Sequence, residues 1–344
     1  MCSGSTATNP RNSLWRIAAL PSVAVLLAVL NEADTIDECL NSLAAQDYRG
    51  QWELLVADGG STDGTVERVG EWAERLSLRI FENPDRLQSK GLNLLAAVAT
   101  AEVLVRVDAH TTYSPDYMSC SVEALSASRA SAVGGPMRPE GKNAFGRAVA
   151  AAYRSKVGIG PAPFHHSDEN VEADTVYLGT MKRETFLNHG GLRTMPSGVA
   201  EDADFYYRLR KDGGRVLVVP EIRSTYRTRE TPAGLWRQFY RYGLGKADML
   251  YVNGEFPSWR PLAPMALVIG FLAFLVWGLT STWLPLLALA TIWLAVLLMA
   301  ARGSPLRVAA TAIMHSAYGI GLMRGLLRRP ATVREAAIGR STRE

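Results

Sequence analysis

The chain has 344 residues, 48% of them hydrophobic and 20% charged, which excludes a disordered or fibrous protein and allows one large or two smaller domains. The net charge is +4, and its basic surplus lies in residues 256–344, which hold nine Arg and two acidic residues. A basic surplus beside the most apolar sequence is typical of a membrane surface. Residues 1–255 have no basic stripe with interleaved aromatic residues, so no nucleic-acid partner is expected.

The first half of the chain alternates strands with helices. A polar lead-in over residues 1–20 is followed by a buried strand at Val23–Leu30. Thr35 and Glu38 form a capping-box pattern at the start of the first helix. The elements predicted next are a strand at Glu53–Ala57, a helix at Gly64–Leu76, a strand at Leu78–Phe81, a helix at Ser89–Thr100 and a strand at Val103–Val107. This alternation predicts an α/β fold with a parallel sheet and helices on its faces.

Polar residues follow three of these strands. They are Asn31-Glu32 after the first, the Asp58–Thr65 loop after the second and Asp108-Ala109-His110 after the strand at 103–107. In open sheets of this type, ligands bind at the carboxyl ends of the strands, so we expect these residues to form one pocket. For the Asp58–Thr65 loop alone, a strand-to-helix turn with Asp63 as N-cap stays open as an alternative.

Asp108 and His110 are candidate ligands of a divalent metal. A carboxylate and an imidazole can hold Mn²⁺ or Mg²⁺, and such a cation neutralises a diphosphate. If the strand continues to His110, strand alternation points both side chains the same way. A solvated turn is the alternative for these residues.

A second acidic cluster begins at Glu201-Asp202, at the start of a predicted helix that ends at Gly213-Gly214. One of these carboxylates is a candidate general base that takes the proton from an acceptor hydroxyl. Acidic residues are also favoured at a helix N-terminus by the helix dipole alone, and this alternative stays open.

Two further polar regions bear on the site. Gln238, Arg241 and Tyr242 fall on one face of a predicted helix, where an Arg can meet a diphosphate or the helix can lie at a membrane interface. His165 and His166 lie in the poorly patterned region 136–180, which we interpret as a mobile acceptor loop in preference to a metal site.

The C-terminal part is predicted to meet a membrane. Residues 261–301 contain no charge, and one helix of that length would be roughly 60 Å long, twice the bilayer core. Thr280–Thr282 and Pro285 predict a break, hence two spanning helices near 262–280 and 283–301. A third crossing by segment 305–327 would put following arginines outside, so we expect that segment to be in-plane or re-entrant, before a tail at 331–344.

Together these motifs resemble the family 2 inverting glycosyltransferases with the GT-A fold, in the family's order and over about residues 22–245. The layout of a catalytic domain at 21–255 and membrane helices at 256–330 is similar to bacterial glycosyltransferases of succinoglycan-type exopolysaccharide synthesis. The matching pieces are Asn31-Glu32, Asp58–Thr65, Lys90-Gly91-Leu92-Asn93, Asp108-Ala109-His110, Glu201-Asp202 and Gln238-x-x-Arg241-Tyr242.

The resemblance implies a role for each matching residue. Asp58 would contact the nucleotide base, commonly uracil, and Asn31, Glu32 and Lys90 would line the nucleotide pocket. The other implied roles are metal and diphosphate binding by Asp108 and His110, base catalysis by Asp202 with Glu201 beside it, and diphosphate or acceptor binding by Gln238 and Arg241. His110 stands where many relatives have Asp, and Tyr242 stands where polysaccharide synthases usually have Trp.

The function predicted from the sequence is transfer of a sugar, with inversion and metal dependence, from a nucleotide sugar such as a UDP-sugar. The expected acceptor is a lipid-linked saccharide or polysaccharide at the cytoplasmic face of the membrane, with other polysaccharide-assembly enzymes as partners. The three cysteines, Cys2, Cys39 and Cys120, are sparse and odd in number, which fits a reducing compartment. A sugar-phosphate nucleotidyltransferase and an inactive membrane scaffold with the same fold are the alternatives.

Overall fold

The computed structural model describes residues 20–255 and 259–328. The predicted tail at 331–344, Cys2 and all but the last residue of the predicted lead-in lie outside these residues. The boundary predicted between the catalytic domain and the membrane helices falls at 255–256. The first described range ends at residue 255, so this boundary stays a prediction.

The strands form two sheets. An eight-stranded sheet has the order β3-β2-β1-β4-β9-β6-β10-β8, and a three-stranded sheet has the order β5-β11-β7. The strands are β1 Val23–Val29, β2 Trp52–Asp58, β3 Leu78–Glu82, β4 Val103–Val107, β5 Thr111–Tyr113, β6 Ala132–Gly135, β7 Arg138–Glu140, β8 Val171–Glu172, β9 Tyr177–Lys182, β10 Val216–Val218 and β11 Ser224–Arg227.

The α/β class predicted from the sequence is confirmed, but the sheet is mixed. Strands β1 to β4 pair in parallel as predicted. Strand β9 then runs antiparallel between β4 and β6, and β8 runs antiparallel to β10. The sequence predicted parallel pairing from the alternation of strands and helices over residues 23–107, and the pairing becomes mixed beyond these strands, where that alternation gives way to irregular connections.

The α-helices are α1 Ile36–Ala44, α2 Thr65–Glu71, α3 Gln88–Val98, α4 Tyr117–Ala127, α5 Ala144–Tyr153, α6 Lys156–Ile159, α7 Pro163–His166, α8 Arg183–Asn188, α9 Glu201–Lys211, α10 Pro232–Asn253, α11 Leu262–Thr280, α12 Leu284–Ala301 and α13 Pro305–Leu326. The capping box predicted for α1 was wrong. Thr35 occupies the N-cap position without a capping hydrogen bond, because its hydroxyl donates to the Glu32 carboxylate. Glu38 instead pairs with Lys142.

Strand alternation divides the core into two layers. In β1, Val23, Val25 and Leu27 pack on one face with Ile36 and Leu40 of α1. Alternate residues of the same strand face the opposite layer, where Leu92 and Leu95 of α3 and Phe205 of α9 are buried. Because both faces of β1 are covered, the strand is a continuous apolar run, as the sequence predicted. Burial of β1 on both faces holds the carboxyl-end edge of the sheet in place, and the polar residues that follow β1, β2 and β4 lie at this edge.

The C-terminal helices behave in two ways. Among the described residues, α11 and α12 are the helices long and apolar enough to cross a membrane, and most of their side chains are exposed or half-exposed. By contrast, α13 is one uninterrupted helix that packs along α10, and Ala310, Met314 and Ala317 share a buried cluster with α5 and α10. The in-plane or re-entrant placement of residues 305–327 stays a prediction.

Candidate active site

The Asp58–Thr65 loop is held in shape by side chains at the ends of β1 and β2. Asn31 adopts a left-handed backbone with φ of 56°, and its Oδ1 accepts from the Thr62 amide at 2.9 Å. The Asp58 carboxylate accepts from the Gly60 amide at 2.9 Å and from the Ser61 hydroxyl at 2.6 Å. Both side chains therefore shape the loop from which the predicted nucleotide contacts would be made.

The alternative that made Asp63 the N-cap of α2 was wrong, because Gly64 occupies that position. Asp63 Oδ1 accepts from the Thr65 amide at 3.1 Å at the start of α2, where Gly64 occupies the N-cap with φ of 91°. Its Oδ2 accepts from the Ala33 amide at 3.0 Å, which links the loop back to the end of β1. The hydrogen bond from the Thr65 hydroxyl is the main cause that lowers the pKa of Asp63.

Glu32 and His110 form a polar pair. Glu32 Oε1 lies 3.5 Å from His110 Nδ1, and the His110 and Tyr226 rings are in T-shaped contact with centroids 5.6 Å apart. Burial alone would raise the pKa of Glu32, but hydrogen bonds from His110 and Thr35 outweigh burial and lower it. Glu32 is therefore ionised at neutral pH and orients the imidazole.

Asp108 and His110 lie in a turn, so the argument from strand alternation was wrong. Strand β4 ends at Val107, and the Thr111 amide donates to the Asp108 carbonyl at 3.2 Å to close the turn. Asp108 is 8% exposed, and its Oδ1 accepts from Gln88 Nε2 at 3.1 Å. The Asp108 carboxylate of this turn is not solvated, because burial and the Gln88 contact fix it.

These residues fit a divalent cation that also takes ligands from a substrate. Within residues 20–255 and 259–328, no group of three or more His, Cys, Asp or Glu side chains forms a complete protein metal site. Mg²⁺ is commonly held by one or two carboxylates plus substrate phosphates and waters. A single buried carboxylate, Asp108, with an imidazole two residues away supplies that kind of partial donor set.

The Arg106 guanidinium, which the sequence analysis missed, lies between the strand-end residues and α9. Its Nη2 lies 3.7 Å from Asp108 Oδ1 and 3.9 Å from Glu201 Oε1, and its Nη1 lies 3.8 Å from Asp202 Oδ2. Burial alone would lower the pKa of Arg106, but the three carboxylates raise it above its usual value. The signal in the sequence is a lone Arg inside the apolar run Val103–Val107, two residues before Asp108.

The acidic residues of α9 face different surroundings. The Asp202 side chain is 41% exposed, whereas the Glu201 side chain is 9% exposed. Burial, with the neighbouring Asp202 charge, raises the pKa of Glu201 to about 7. Asp204 is fully buried and pairs with Arg208 at 2.9 Å and with Asn253 at 2.9 Å. Asp202 is therefore the open carboxylate of this turn, and Asp204 ties α9 to α10.

The predicted residues on α10 make internal contacts. Gln238 Nε2 donates to the hydroxyls of Tyr226 at 2.7 Å and Tyr242 at 3.0 Å, so its amide joins α10 to β11. Arg241 is exposed and donates to the carbonyls of Ser197 and Gly198, the loop before α9. Lys90 lies half-buried in the first turn of α3.

The region 136–180 contains more structure than the sequence indicated. His165 and His166 lie in the short helix α7, where the sequence predicted no regular element. Burial lowers the pKa of His165 to about 3, so this ring is neutral at physiological pH. His166 Nε2 lies 2.8 Å from the Gly160 carbonyl, so one of its nitrogens is already engaged.

Comparison with known proteins agrees with this arrangement. The sequence profile described as glycosyl transferase family 2 matches residues 24–184. The succinoglycan biosynthesis protein ExoA of Rhizobium meliloti (strain 1021) is 31% identical over 316 residues, which cover 89% of this chain and 95% of that protein. The chain belongs to glycosyl transferase family 2. Its matched residues include Asn31, Asp58 and Asp108.

Two more distant relatives extend this result. This chain is 23% identical to a protein of Methanococcus voltae, over 75% of this chain and 82% of that protein. That protein is a dolichyl N-acetyl-alpha-D-glucosaminyl phosphate 3-beta-D-2,3-diacetamido-2,3-dideoxy-beta-D-glucuronosyltransferase. Among solved structures, a mannosyltransferase of Pyrobaculum calidifontis in complex with GDP-Man and Mn²⁺ superposes with a TM-score of 0.64 at 24% identity, covering 92% of this chain and 91% of that one. The predicted GT-A fold is confirmed.

Proposed function

We propose that this family 2 glycosyltransferase moves a sugar, with inversion, from a nucleoside diphosphate sugar to an acceptor hydroxyl. One observation carries the proposal. The Arg106 guanidinium lies within 4 Å of Asp108, at the end of β4, and of Glu201 and Asp202, at the start of α9. The end of β4, where a nucleotide would bind, and the start of α9, which would supply a base, therefore both contact the Arg106 guanidinium.

Asp202 is the proposed general base. Its carboxylate is open to an acceptor, whereas Asp204 is buried and paired and Glu201 is nearly enclosed. The acceptor O–H gives its proton to Asp202, and its oxygen forms a bond to the anomeric carbon. The bond from that carbon to the diphosphate oxygen breaks on the opposite side, and the nucleoside diphosphate leaves. Base catalysis of this kind contributes roughly 10²–10⁴-fold.

Asp108 and His110 are the proposed ligands of Mn²⁺ or Mg²⁺. Such a cation neutralises the charge that grows on a departing diphosphate. The buried Asp108 carboxylate and the His110 ring, which is oriented by Glu32, give a donor set suited to these ions. The Mn²⁺ in the Pyrobaculum calidifontis mannosyltransferase supports the use of a divalent cation by this fold.

We infer that the nucleotide lies over the Asp58–Thr65 loop, with Asn31, Glu32, Asp58 and Lys90 around it and UDP as the expected nucleoside diphosphate. Gln238 and Arg241 would border the diphosphate or the acceptor from α10. The expected acceptor is a lipid-linked saccharide or polysaccharide at the cytoplasmic face of a membrane. The helices α11 and α12, which are long and apolar enough to cross a membrane, support the membrane location. The similarity to a succinoglycan biosynthesis protein favours a role in exopolysaccharide assembly with other enzymes.

The test is release of nucleoside diphosphate by the full chain in lipid, across a panel of nucleotide sugars, with Mn²⁺, Mg²⁺ or chelator. Metal-dependent release from one donor, with an inverted product, is the expected result. Pyrophosphate release from a nucleoside triphosphate would instead indicate a nucleotidyltransferase. A folded protein that neither binds nor turns over any donor would contradict the proposal and favour a scaffold.

A further inference from the structure

A short loop sets the position of the proposed base. We call residues 195–200 the base loop, because Glu201 and Asp202 follow it at the start of α9. The loop turns through Gly198, with φ of 67°, and Ala200, with φ of 71°. A non-glycine residue in the left-handed region is uncommon and persists where its surroundings hold it. The placement of Asp202 therefore depends on whatever holds the base loop.

Helix α10 holds the base loop through two side chains. Asp248 Oδ2 accepts from the Ser197 amide at 2.8 Å. Arg241 Nη2 donates to the Ser197 carbonyl at 3.4 Å and to the Gly198 carbonyl at 3.2 Å. A Cβ added at Gly245 would lie 3.0 Å from the Ala200 Cβ, so the helix and the loop are also in direct contact. The loop is thus bound to α10 along most of its length.

Asp248 is a buried charge that needs a partner. It is fully buried, and a buried carboxylate is costly unless it is paired. Arg328 Nη1 lies 3.4 Å from Asp248 Oδ1, and it is the one cation in ion-pair range of Asp248 in the part of the chain that the structure describes. Arg328 follows α13, 80 residues further along the chain. A residue at the C-terminal end of the helical segment therefore neutralises the carboxylate that holds the base loop.

Close packing of α13 on α10 fixes Arg328 at this place. A Cβ added at Gly325 would lie 2.4 Å from the Ala247 Cβ, and one at Gly321 would lie 2.1 Å from the Tyr240 carbonyl oxygen. A side chain larger than hydrogen at either position would clash with α10, so the two helices lie in close contact. The packing of α13 on α10 therefore places the Arg328 backbone close enough for its side chain to reach Asp248.

We propose that Asp248 and Arg328 are positioning residues that couple α13 to the catalytic base through the base loop. The proposal rests on the proposed function, because it assigns the coupled group as Asp202. With Arg328 in place, Asp248 stays inside and holds the Ser197 amide. Without that cation, the Asp248 charge is drawn towards water and the base loop loosens. The helix that follows the membrane hairpin is thereby a part of the catalytic apparatus and more than an anchor.

The test compares Arg328→Met with three other variants of the full chain in lipid. Arg328→Met is expected to lower kcat about 10- to 100-fold with little change in donor KM, since a small misplacement of a reacting group has effects of this size. Arg328→Lys keeps the charge and recovers most of the rate. Arg324→Met, the matched control, removes an exposed arginine near the end of α13 and is expected to leave the rate unchanged.

The double variant Asp248→Asn with Arg328→Met separates positioning from loss of folding. The side-chain amide introduced by Asp248→Asn would still accept from the Ser197 amide but carries no charge, so Arg328→Met is expected to have little further effect in that background. Equal effects of Arg328→Met with and without Asp248→Asn would overturn the proposal. So would an unchanged kcat in Arg328→Met.

Hydrogen exchange gives a reading that does not depend on activity. Arg328→Met is expected to speed exchange at the base loop, including the Ser197 amide, while β1 and β4 keep their protection. Unchanged exchange at the base loop would overturn the coupling whatever the activity. Faster exchange in a protein whose wild type transfers no sugar would support the coupling and contradict the proposed function, so the two failures are distinguishable.

Discussion

The two sides of the site are built differently. On the strand side, Asp58 ends β2 and Asn31 follows the adjacent strand β1, and both side chains organise the loop that directly follows β2. On the helix side, Asp202 depends on a loop held by Asp248, which in turn faces Arg328 at the far end of the chain. The strand side is thus a local structure supported by a buried sheet, whereas the helix side is assembled from distant segments.

This difference indicates where the enzyme is most sensitive to the removal of a side chain. A local hydrogen-bonded loop loses one contact when one side chain is removed. A series of dependent contacts between distant elements would transmit a change at one end to the proposed base at the other. Arg106 is the point at which the two sides meet, so changes there should have the largest effects of all.

Arg106→Met should break both sides at once. It leaves Asp108, Glu201 and Asp202 facing one another without a cation. Removing one partner of a buried ion pair typically costs about 3–5 kcal/mol, so we expect Tm to fall by roughly 10 °C. Thermal unfolding in detergent measures the effect. Arg106→Lys, which keeps the charge, should lose less, and an equal loss in both variants would show that packing and not charge is responsible.

The pH dependence of stability should sharpen the helix side. Glu201 has its pKa raised to about 7 by burial, from an ordinary value of 4.5. The folded protein therefore favours the neutral carboxyl group of Glu201. The stabilisation from this preference is complete below about pH 4.5 and is lost as pH rises through 7. The loss in the free energy of unfolding is up to about 3 kcal/mol. We expect Glu201→Gln to flatten the decline of Tm between pH 5 and pH 8. An unchanged slope would mean that Glu201 is already ionised in the fold.

Asn31→Ala should have a smaller effect, confined to the strand side. It removes the acceptor of the Thr62 amide, a net loss of about 1 kcal/mol. Donor KM should rise about 2- to 10-fold with kcat nearly unchanged. Asn31→Asp keeps the acceptor and serves as the matched variant in steady-state kinetics. A large fall in kcat with an unchanged KM would contradict the role of Asn31 in shaping the Asp58–Thr65 loop for donor binding.

Arg68→Ala should have the smallest effect. Arg68 and Asp37 form an ion pair with side chains 50% and 42% exposed, on the surface between α2 and α1. Exposed pairs contribute between about 0 and 1 kcal/mol, so Tm and turnover should both stay close to those of the wild type. A strong loss of activity in this variant would show that the site extends further than the two sides described above.

The strand side was predictable from the sequence because its signals are local. Apolar runs of strand length mark β1, β2 and β4, and polar residues follow each run, so Asp58 and Asp108 could be placed at one edge of the sheet. Strand β9 was missed because its region lacks a simple alternating pattern, and its antiparallel insertion depends on tertiary packing.

The helix side was predictable only in part. Glu201 and Asp202 were found because acidic residues open a helix with a clear apolar face. Arg106 and Asp248 were not, since one sits in an apolar strand and the other in a helix, and their roles come from partners on other elements. Contacts between residues far apart along the chain leave no local signal in a single sequence.

Paired kinetic measurement of Asp202→Asn and Asp204→Asn distinguishes Asp202, the proposed general base, from its neighbour Asp204. Transfer rate and donor binding are measured for both variants on the same nucleotide sugar. We predict that Asp202→Asn lowers turnover by at least about 10²-fold with donor binding retained, whereas Asp204→Asn mainly lowers stability. Near-full turnover in Asp202→Asn, with turnover lost in a folded Asp204→Asn, would contradict the account.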